Sequence, residues 1–198
     1  YIYHADSDDS LEAGAIEKIA RKIEATDADI VYFDFYKEYP TKSKAKRERD
    51  YAVDAQREYV RNMYNHRSYA SVWNKCVRHS LYKEHKIYTP QYGYAEDCYL
   101  MSQLVGYSSS IVHLEEYLYH YRKGNPNALT GQQRRKRKRE YALNFLDLYE
   151  RYKDVPTEEN PVAVIFDDML IQAGWYSIFY RLDLFKQYPW LAAAVRKA

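Results

Sequence analysis

The residues best equipped for chemistry stand near the start of the chain. Asp6-Ser7-Asp8-Asp9 sets three carboxylates around one serine. It follows Tyr1-Ile2-Tyr3-His4-Ala5, which reads as a strand, and precedes residues 11–24, which read as a helix. Open α/β sheets place ligands at the carboxyl ends of their strands, and hard carboxylate oxygens at this spacing suit Mg²⁺ or Mn²⁺ holding a phosphate. Acids also favour the first turn of a helix, an account that covers Asp9 well and three acids around a serine less well. A second acidic pair, Glu96-Asp97, opens a helix after the loop 88–94. A carboxylate there either takes a proton from a hydroxyl nucleophile or simply caps the helix. The third group is Tyr117-Leu118-Tyr119-His120-Tyr121-Arg122. A histidine late in a strand can ligate a metal and a nearby arginine can grip a diphosphate, although such a histidine is often an ordinary hydrogen-bonding residue.

Hydrophobic rhythm predicts the elements that carry these groups. Leu11, Ala15, Ile16, Ile19, Ala20 and Ile23 recur at helical spacing, with Asp9 or Ser10 as the cap. A turn at 26–29 leads to a strand at 30–36, so the first stretch reads as one βαβ unit. Residues 40–49 read as a polar, lysine-rich loop and 54–66 as a helix with Tyr59, Val60, Met63 and Tyr64 on one side. A short extended piece at 71–75 leads into a helix near 79–85, and another helix covers 96–107. Residues 111–114 and 117–122 read as two strands, with a turn at 124–127. After Thr130 the pattern becomes helical: 134–152 carries the stripe Ala142, Phe145, Leu146, Tyr149 and Tyr152. Pro161 opens a further helix after the linker 154–160. The expected organisation is an α/β part over 1–130 and a helical extension over 131–198.

Composition sets the outer bounds. The 198 residues suit one domain or slightly more, and 46% hydrophobic with 29% charged is a globular balance. The 24 tyrosines suit a surface that meets sugars or partners, or a plain compositional bias. Cys76 and Cys98 are too few for a disulfide framework and are not spaced as a metal-type pair, so free thiols in a reducing compartment are expected. No apolar run is long enough to span a bilayer and no signal peptide is visible. The chain does not open on Met, which leaves its true beginning open. Net charge is +2, but 42–49 and 134–139 are basic runs. The second heads a helix, where positive charge opposes the helix dipole. It suits either attraction to anionic lipid or a lipid-linked phosphate, or a plain solvated surface. Nucleic acid is not expected, because aromatics do not interleave with the basic residues.

The pieces also fall in a familiar order. Asp6 to Glu12 as Asp-x-Asp-Asp-x-Leu-Glu, then Asp27-Ala28-Asp29-Ile30-Val31, Trp73-Asn74-Lys75, Glu96-Asp97 and Leu118 to Arg122 resemble bacterial family 2 glycosyltransferases of the GT-A fold. Residues 125–130 resemble the segment that usually follows, and the resemblance covers residues 1 to about 130. It implies transfer of a sugar from a nucleotide-diphosphate donor to an acceptor hydroxyl, with inversion, in surface polysaccharide or glycolipid synthesis. Asp6 and Asp8 would bind the divalent cation and the donor's ribose and phosphate, with Asp8 the metal contact and His120 a second ligand. Asp97 would be the catalytic base with Glu96 beside it. Arg122 would contact phosphate, and Trp73 and Lys75 would meet the acceptor, although Trp73 suits a core equally well. Family members carry a nucleotide-binding half before the Asp-x-Asp element, and this sequence has no counterpart to it. The resemblance therefore implies a partial GT-A fold, the acceptor-side part, inactive alone. The strand at 1–5 would be a buried strand without its neighbours, prone to self-association. The alternative is a non-catalytic binding or scaffold module derived from such an enzyme. A cytoplasmic location is expected, with contact at the inner membrane face through 134–139.

Overall fold

The computed structural model describes residues 1–123 and 134–197. The turn expected at 124–127 and the segment 125–130 lie outside the described residues. The fold is mixed α/β: a curled sheet that runs in spatial order through Ile2–Tyr3, Lys75–Val77, Ile30–Tyr39, Ile111–Arg122 and Ser10–Leu11, with Lys42–Lys46 paired to Ile30–Tyr39 and helices around it.

β3 (Ile30–Tyr39) is the centre of the sheet, because its run of branched and aromatic residues is buried on both sides. Ile30 and Tyr32 enter one apolar cluster, and Phe33 and Phe35 enter another. That alternation is the strand's two-residue period at work. β3 runs three residues beyond the predicted end, and the chain returns as β4 (Lys42–Lys46), with Tyr39 opposite Lys42 and Phe35 opposite Lys46. The expected lysine-rich loop is therefore a hairpin. Its lysines lie on an outer strand, where charge discourages further pairing.

β6 (Ile111–Arg122) runs parallel to β3. The two strands expected at 111–114 and 117–122 are one strand, and register shifts on either side of Asp34 absorb the extra residues of β6 as a bulge. β2 (Ser10–Leu11) pairs antiparallel with β6, placing Ser10 opposite His120 and Leu11 opposite Tyr119. This pairing takes Leu11 out of the predicted helix. α1 is Ala15–Thr26 and starts from Gly14, whose φ of 76° suits glycine. Neither Asp9 nor Ser10 caps it. Ile16, on the predicted apolar stripe, is 54% exposed, since the sheet covers only the Ala15–Ile19 side.

β1 is Ile2–Tyr3 and pairs antiparallel with β5 (Lys75–Val77), which in turn pairs antiparallel with β3. The first βαβ unit therefore has a strand from later in the chain inserted between its two strands. Residues 1–5 are half-buried or exposed, which corrects the expectation of a buried strand. They also have partners, since Tyr1 Oη donates to Ala28 O at 2.7 Å and Tyr3 Oη to Trp73 O at 2.8 Å.

α2 (Gln56–Tyr64), α3 (His79–Glu84) and α4 (Glu96–Tyr107) follow the predicted periods closely. α5 (Arg134–Tyr152) buries Tyr141, Phe145, Leu148 and Tyr152 in the same cluster as Ile30, Tyr59 and Leu104. A separate cluster joins Leu143 and Leu146 of α5 to α6 (Phe166–Phe179), α7 (Leu184–Gln187) and α8 (Leu191–Val195). The basic head of α5 lies at the far end of α6: Arg135 Nε and Nη2 donate to the carbonyls of Tyr180 and Arg181 at 3.0 and 2.9 Å. Charge that opposes its own helix dipole thus sits where carbonyls at the end of α6 need donors. Among the described residues no helix is long and apolar enough to cross a membrane, and Cys76 and Cys98 are buried free thiols.

α4 and the segment before α6 touch at Gly106. A Cβ there would lie 2.2 Å from the Pro161 carbonyl oxygen, so backbone would have to move. Gly106→Ala is expected to destabilise the protein by about 2–3 kcal/mol and lower Tm by roughly 5–10 °C. A thermal melt followed by circular dichroism checks this, and an unchanged Tm would show that the contact is not tight.

Candidate functional site

The aspartate tetrad forms the loop between β1 and β2, and β6 holds it in place. Tyr119 Oη accepts from the Asp6 backbone N–H at 3.2 Å and donates to Asp9 Oδ2 at 2.8 Å. The Arg122 N–H donates to Asp9 Oδ1 at 2.7 Å. Asp9 therefore spends both oxygens fastening the loop. Partial desolvation raises the pKa of Asp6, and Asp9 and Asp8 raise it further. Desolvation also raises that of Asp9, against the hydrogen bonds from Arg122 and Tyr119. Like charges held this close favour a positive group among them. Asp8, Asp9, Glu38, His120 and Arg122 line an open cleft of about 260 Å³.

His120 lies on this cleft but does not present a ligand atom to it. Its Nδ1 meets Glu38 Oε1 at 2.8 Å and its Nε2 meets Glu12 Oε1 at 2.9 Å. Burial would lower its pKa, yet the bonds to Glu38 and Glu12 outweigh burial and the pKa is raised. Both ring nitrogens are thus engaged by carboxylate oxygens. His120 in this arrangement is a clamp between Glu12, ahead of α1, and Glu38 of β3, where a ligand role was expected. Among the described residues no three His, Cys, Asp or Glu side chains are arranged to hold a metal ion. A hydrated dication carried in by a diphosphate needs only one or two protein carboxylates. The donor set at Asp6 and Asp8 fits that case, and a protein-only metal cage does not.

Glu96 and Asp97 open α4 after Ala95, which has a left-handed φ of 65°. Asp97 Oδ2 accepts a long bond from the Val72 N–H at 3.4 Å. Burial pushes the Asp97 pKa up to about 7, helped by Glu96 and Asp6 and opposed by the Val72 N–H and Lys75. Burial raises that of Glu96 too, opposed by its own backbone N–H and helped by Asp6 and Glu140. Asp6 thus acts on both acids of α4: the tetrad loop and the Glu-Asp pair share one electrostatic neighbourhood, although some ninety residues separate them in sequence. A carboxyl group with a pKa near 7 can exchange a proton at neutral pH.

Two expected acceptor residues are inside the protein. Trp73 is 5% exposed, with Tyr119 stacked on it at 4.5 Å and 9° and Phe35 edge-on at 4.7 Å. Its face is taken by the core, so it offers no platform to a sugar. Lys75 is fully buried. Its Nζ donates to Tyr69 O at 2.8 Å, Ser71 O at 2.9 Å and Asn74 Oδ1 at 2.8 Å. Burial lowers its pKa to about 8, while Glu48 and Asp97 act to raise it. Glu48, 3% exposed, accepts from Asn74 Nδ2 at 2.7 Å. This buried Glu48–Asn74–Lys75 network beneath Asp97 is what the sequence reading missed, along with the clamping carboxylates Glu12 and Glu38. Its one sequence signal is Asn74-Lys75, polar residues between the apolar pairs Val72-Trp73 and Cys76-Val77.

The sheet, its aspartate loop and the helices beyond define a mixed α/β fold that matches part of a glycosyltransferase fold followed by a helical tail. No protein-family model matches the chain, and no curated protein matches it. Solved structures do. The crystal structure of S. aureus TarS 1-349 in complex with UDP-GlcNAc matches 98% of this chain and 64% of its own, with a TM-score of 0.56 and 14% identity. S. aureus TarS 1-349 without that ligand matches with a TM-score of 0.52, 18% identity and coverage of 98% and 61%. The chain thus spans less than two thirds of these glycosyltransferase structures, and at this identity the likeness is one of fold.

Proposed function

We propose that this chain is the acceptor-side part of a GT-A, family 2 glycosyltransferase. It would move a sugar from a nucleotide-diphosphate donor to a hydroxyl of a saccharide or lipid-linked acceptor, with inversion, in surface polysaccharide or glycolipid synthesis. The observation that carries this reading is the joint perturbation of Asp6, Glu96 and Asp97, with Asp8 and Asp9 of the same loop lining a cleft together with Arg122. In the proposed reaction the Asp97 carboxylate accepts the proton of the acceptor hydroxyl. The freed oxygen attacks the anomeric carbon from the face opposite the diphosphate, and the bond to the diphosphate breaks. Glu96 keeps Asp97 basic, since a neighbouring negative charge disfavours a second one. Asp6 and Asp8 orient the donor, and Arg122 offsets charge on the departing diphosphate. A divalent cation, Mg²⁺ or Mn²⁺, held by Asp8 would supply further charge stabilisation of the leaving group.

The test is a screen of nucleotide sugars, beginning with UDP-GlcNAc, read as release of nucleoside diphosphate. It is run on this chain and on the longest open reading frame that contains it. Asp8→Ala is expected to weaken donor binding by about 10- to 100-fold, the worth of one charged contact. A thermal melt of the same variant separates a lost donor contact from a loosened loop, which Tyr119 and Arg122 fasten through Asp6 and Asp9. Calorimetric titration with Mg²⁺ present checks it, and an unchanged affinity would remove Asp8 from the donor site. Donor binding without turnover in the longer protein would support the non-catalytic module instead.

A further inference from the structure

We propose that the end of the molecule where α5 begins and α6 finishes is a docking surface for an anionic lipid bilayer. Trp175, Ile178 and Phe179 are 51%, 62% and 69% exposed. They stand at i, i+3 and i+4 on α6 and so share one face of that helix. The Trp175 and Phe179 rings stack at 5.1 Å and 16°, forming one apolar projection rather than three scattered side chains. Nothing in the folding of the chain calls for it, since the buried side of α6 is Met169, Leu170, Ala173 and Ser177.

The charge beside this projection is predominantly positive. All six residues of 134–139 are basic. Arg135 ties the run to the end of α6 through the Tyr180 and Arg181 carbonyls, the Arg134 guanidinium lies 5.5 Å from the Tyr180 ring centre, and Lys138 Nζ donates to Tyr176 Oη at 2.7 Å. Arg181 is exposed at the same place. The nearby acids are few: Glu140, ion-paired with Lys136 at 3.6 Å, and the exposed Asp183. A small aromatic projection flanked by a block of cations matches an anionic membrane surface, where rings settle at headgroup level and cations meet phosphates. A second copy of this chain is a poorer occupant. A twofold contact through this face would set one basic block against another. The proposal stands on charge and shape alone and is independent of the transferase reading.

The experiment is vesicle flotation and titration with phosphatidylcholine vesicles, with and without about 30 mol% phosphatidylglycerol. The protein is expected to bind the anionic vesicles at least about tenfold more tightly than the neutral ones, and to lose most of that binding between about 0.1 and 0.5 M salt. Trp175→Ala with Phe179→Ala should weaken binding to anionic vesicles about tenfold or more. Arg134→Gln with Lys136→Gln should weaken it by about fivefold per charge and erase most of the lipid preference. Both pairs are exposed, so Tm should not move. If either variant fails to fold, brominated lipids decide instead: they should quench Trp175 in the unaltered chain, and Trp175→Phe should remove the quenching. Equal binding to both vesicles, or none to either, would overturn the proposal. So would a dimer that Trp175→Ala dissociates in a chain that ignores vesicles.

Discussion

Asp97→Asn is expected to abolish sugar transfer while raising the melting temperature at pH 8. The rate effect follows from removing a general base, about 10²- to 10⁴-fold. The stability effect has a separate origin. The Asp97 carboxyl has a pKa of about 7 in the fold against an ordinary 3.8, so the folded protein holds a proton that the unfolded chain has released. Stability tied to that proton is complete below about pH 3.8, is lost as pH rises, and is gone above about pH 7. The rise corresponds to on the order of 4 kcal/mol. Asn resembles the protonated acid and can still accept from the Val72 N–H. It should therefore be nearly neutral at pH 4 and stabilising at pH 8, with a Tm gain of up to about 10 °C. Thermal melts at the two pH values and turnover at pH 8 give the result. The unaltered protein should in turn gain activity as pH rises through about 7. Near-normal turnover would remove Asp97 as the base, and a lower Tm at pH 8 would show that its burial is not costly.

Lys75→Met should be the most damaging single change in the core. The ammonium group meets three oxygens, the carbonyls of Tyr69 and Ser71 and the side chain of Asn74. Its pKa of about 8 leaves it charged at pH 7, and Glu48 nearby is buried. Removing the cation strands those three buried acceptors and takes away a positive charge that favours the ionised form of Glu48, whose pKa burial raises, a loss of about 3–5 kcal/mol. Tm should fall by roughly 10 °C or more. A second readout separates a purely structural part from a role in tuning the base. Lys75 lowers the Asp97 pKa, so in its absence that pKa should climb and the acid limb of the activity profile should move to higher pH. A shifted profile would make Lys75 a positioning residue. An unmoved Tm would dissolve the buried network as described.

Local pattern and long-range contact differ in what they can be read from. The helices at 56–64, 96–107 and 134–152 were legible because their apolar rhythm is a property of neighbouring residues. The single strand through 111–122 read as two, because Glu115-Glu116 interrupts the rhythm while pairing to β3 continues around them. Leu11 suited a helix until β6 claimed it, and Lys42–Lys46 suited a loop until β3 offered an edge. Strand pairing depends on a distant partner, which no local window contains.

The same division runs through the candidate site. From the residues alone came the inventory: which positions carry carboxylates, imidazole and guanidinium, and which helices and strands they stand on. The fold decided what each group touches. It put Asp6 within electrostatic reach of Glu96 and Asp97, closed His120 between Glu12 and Glu38, and sealed Trp73 and Lys75 in the interior. Burial and charge proximity depend on every element packed around a side chain. They set how strongly each group holds its proton, and they arise only once the chain has closed on itself.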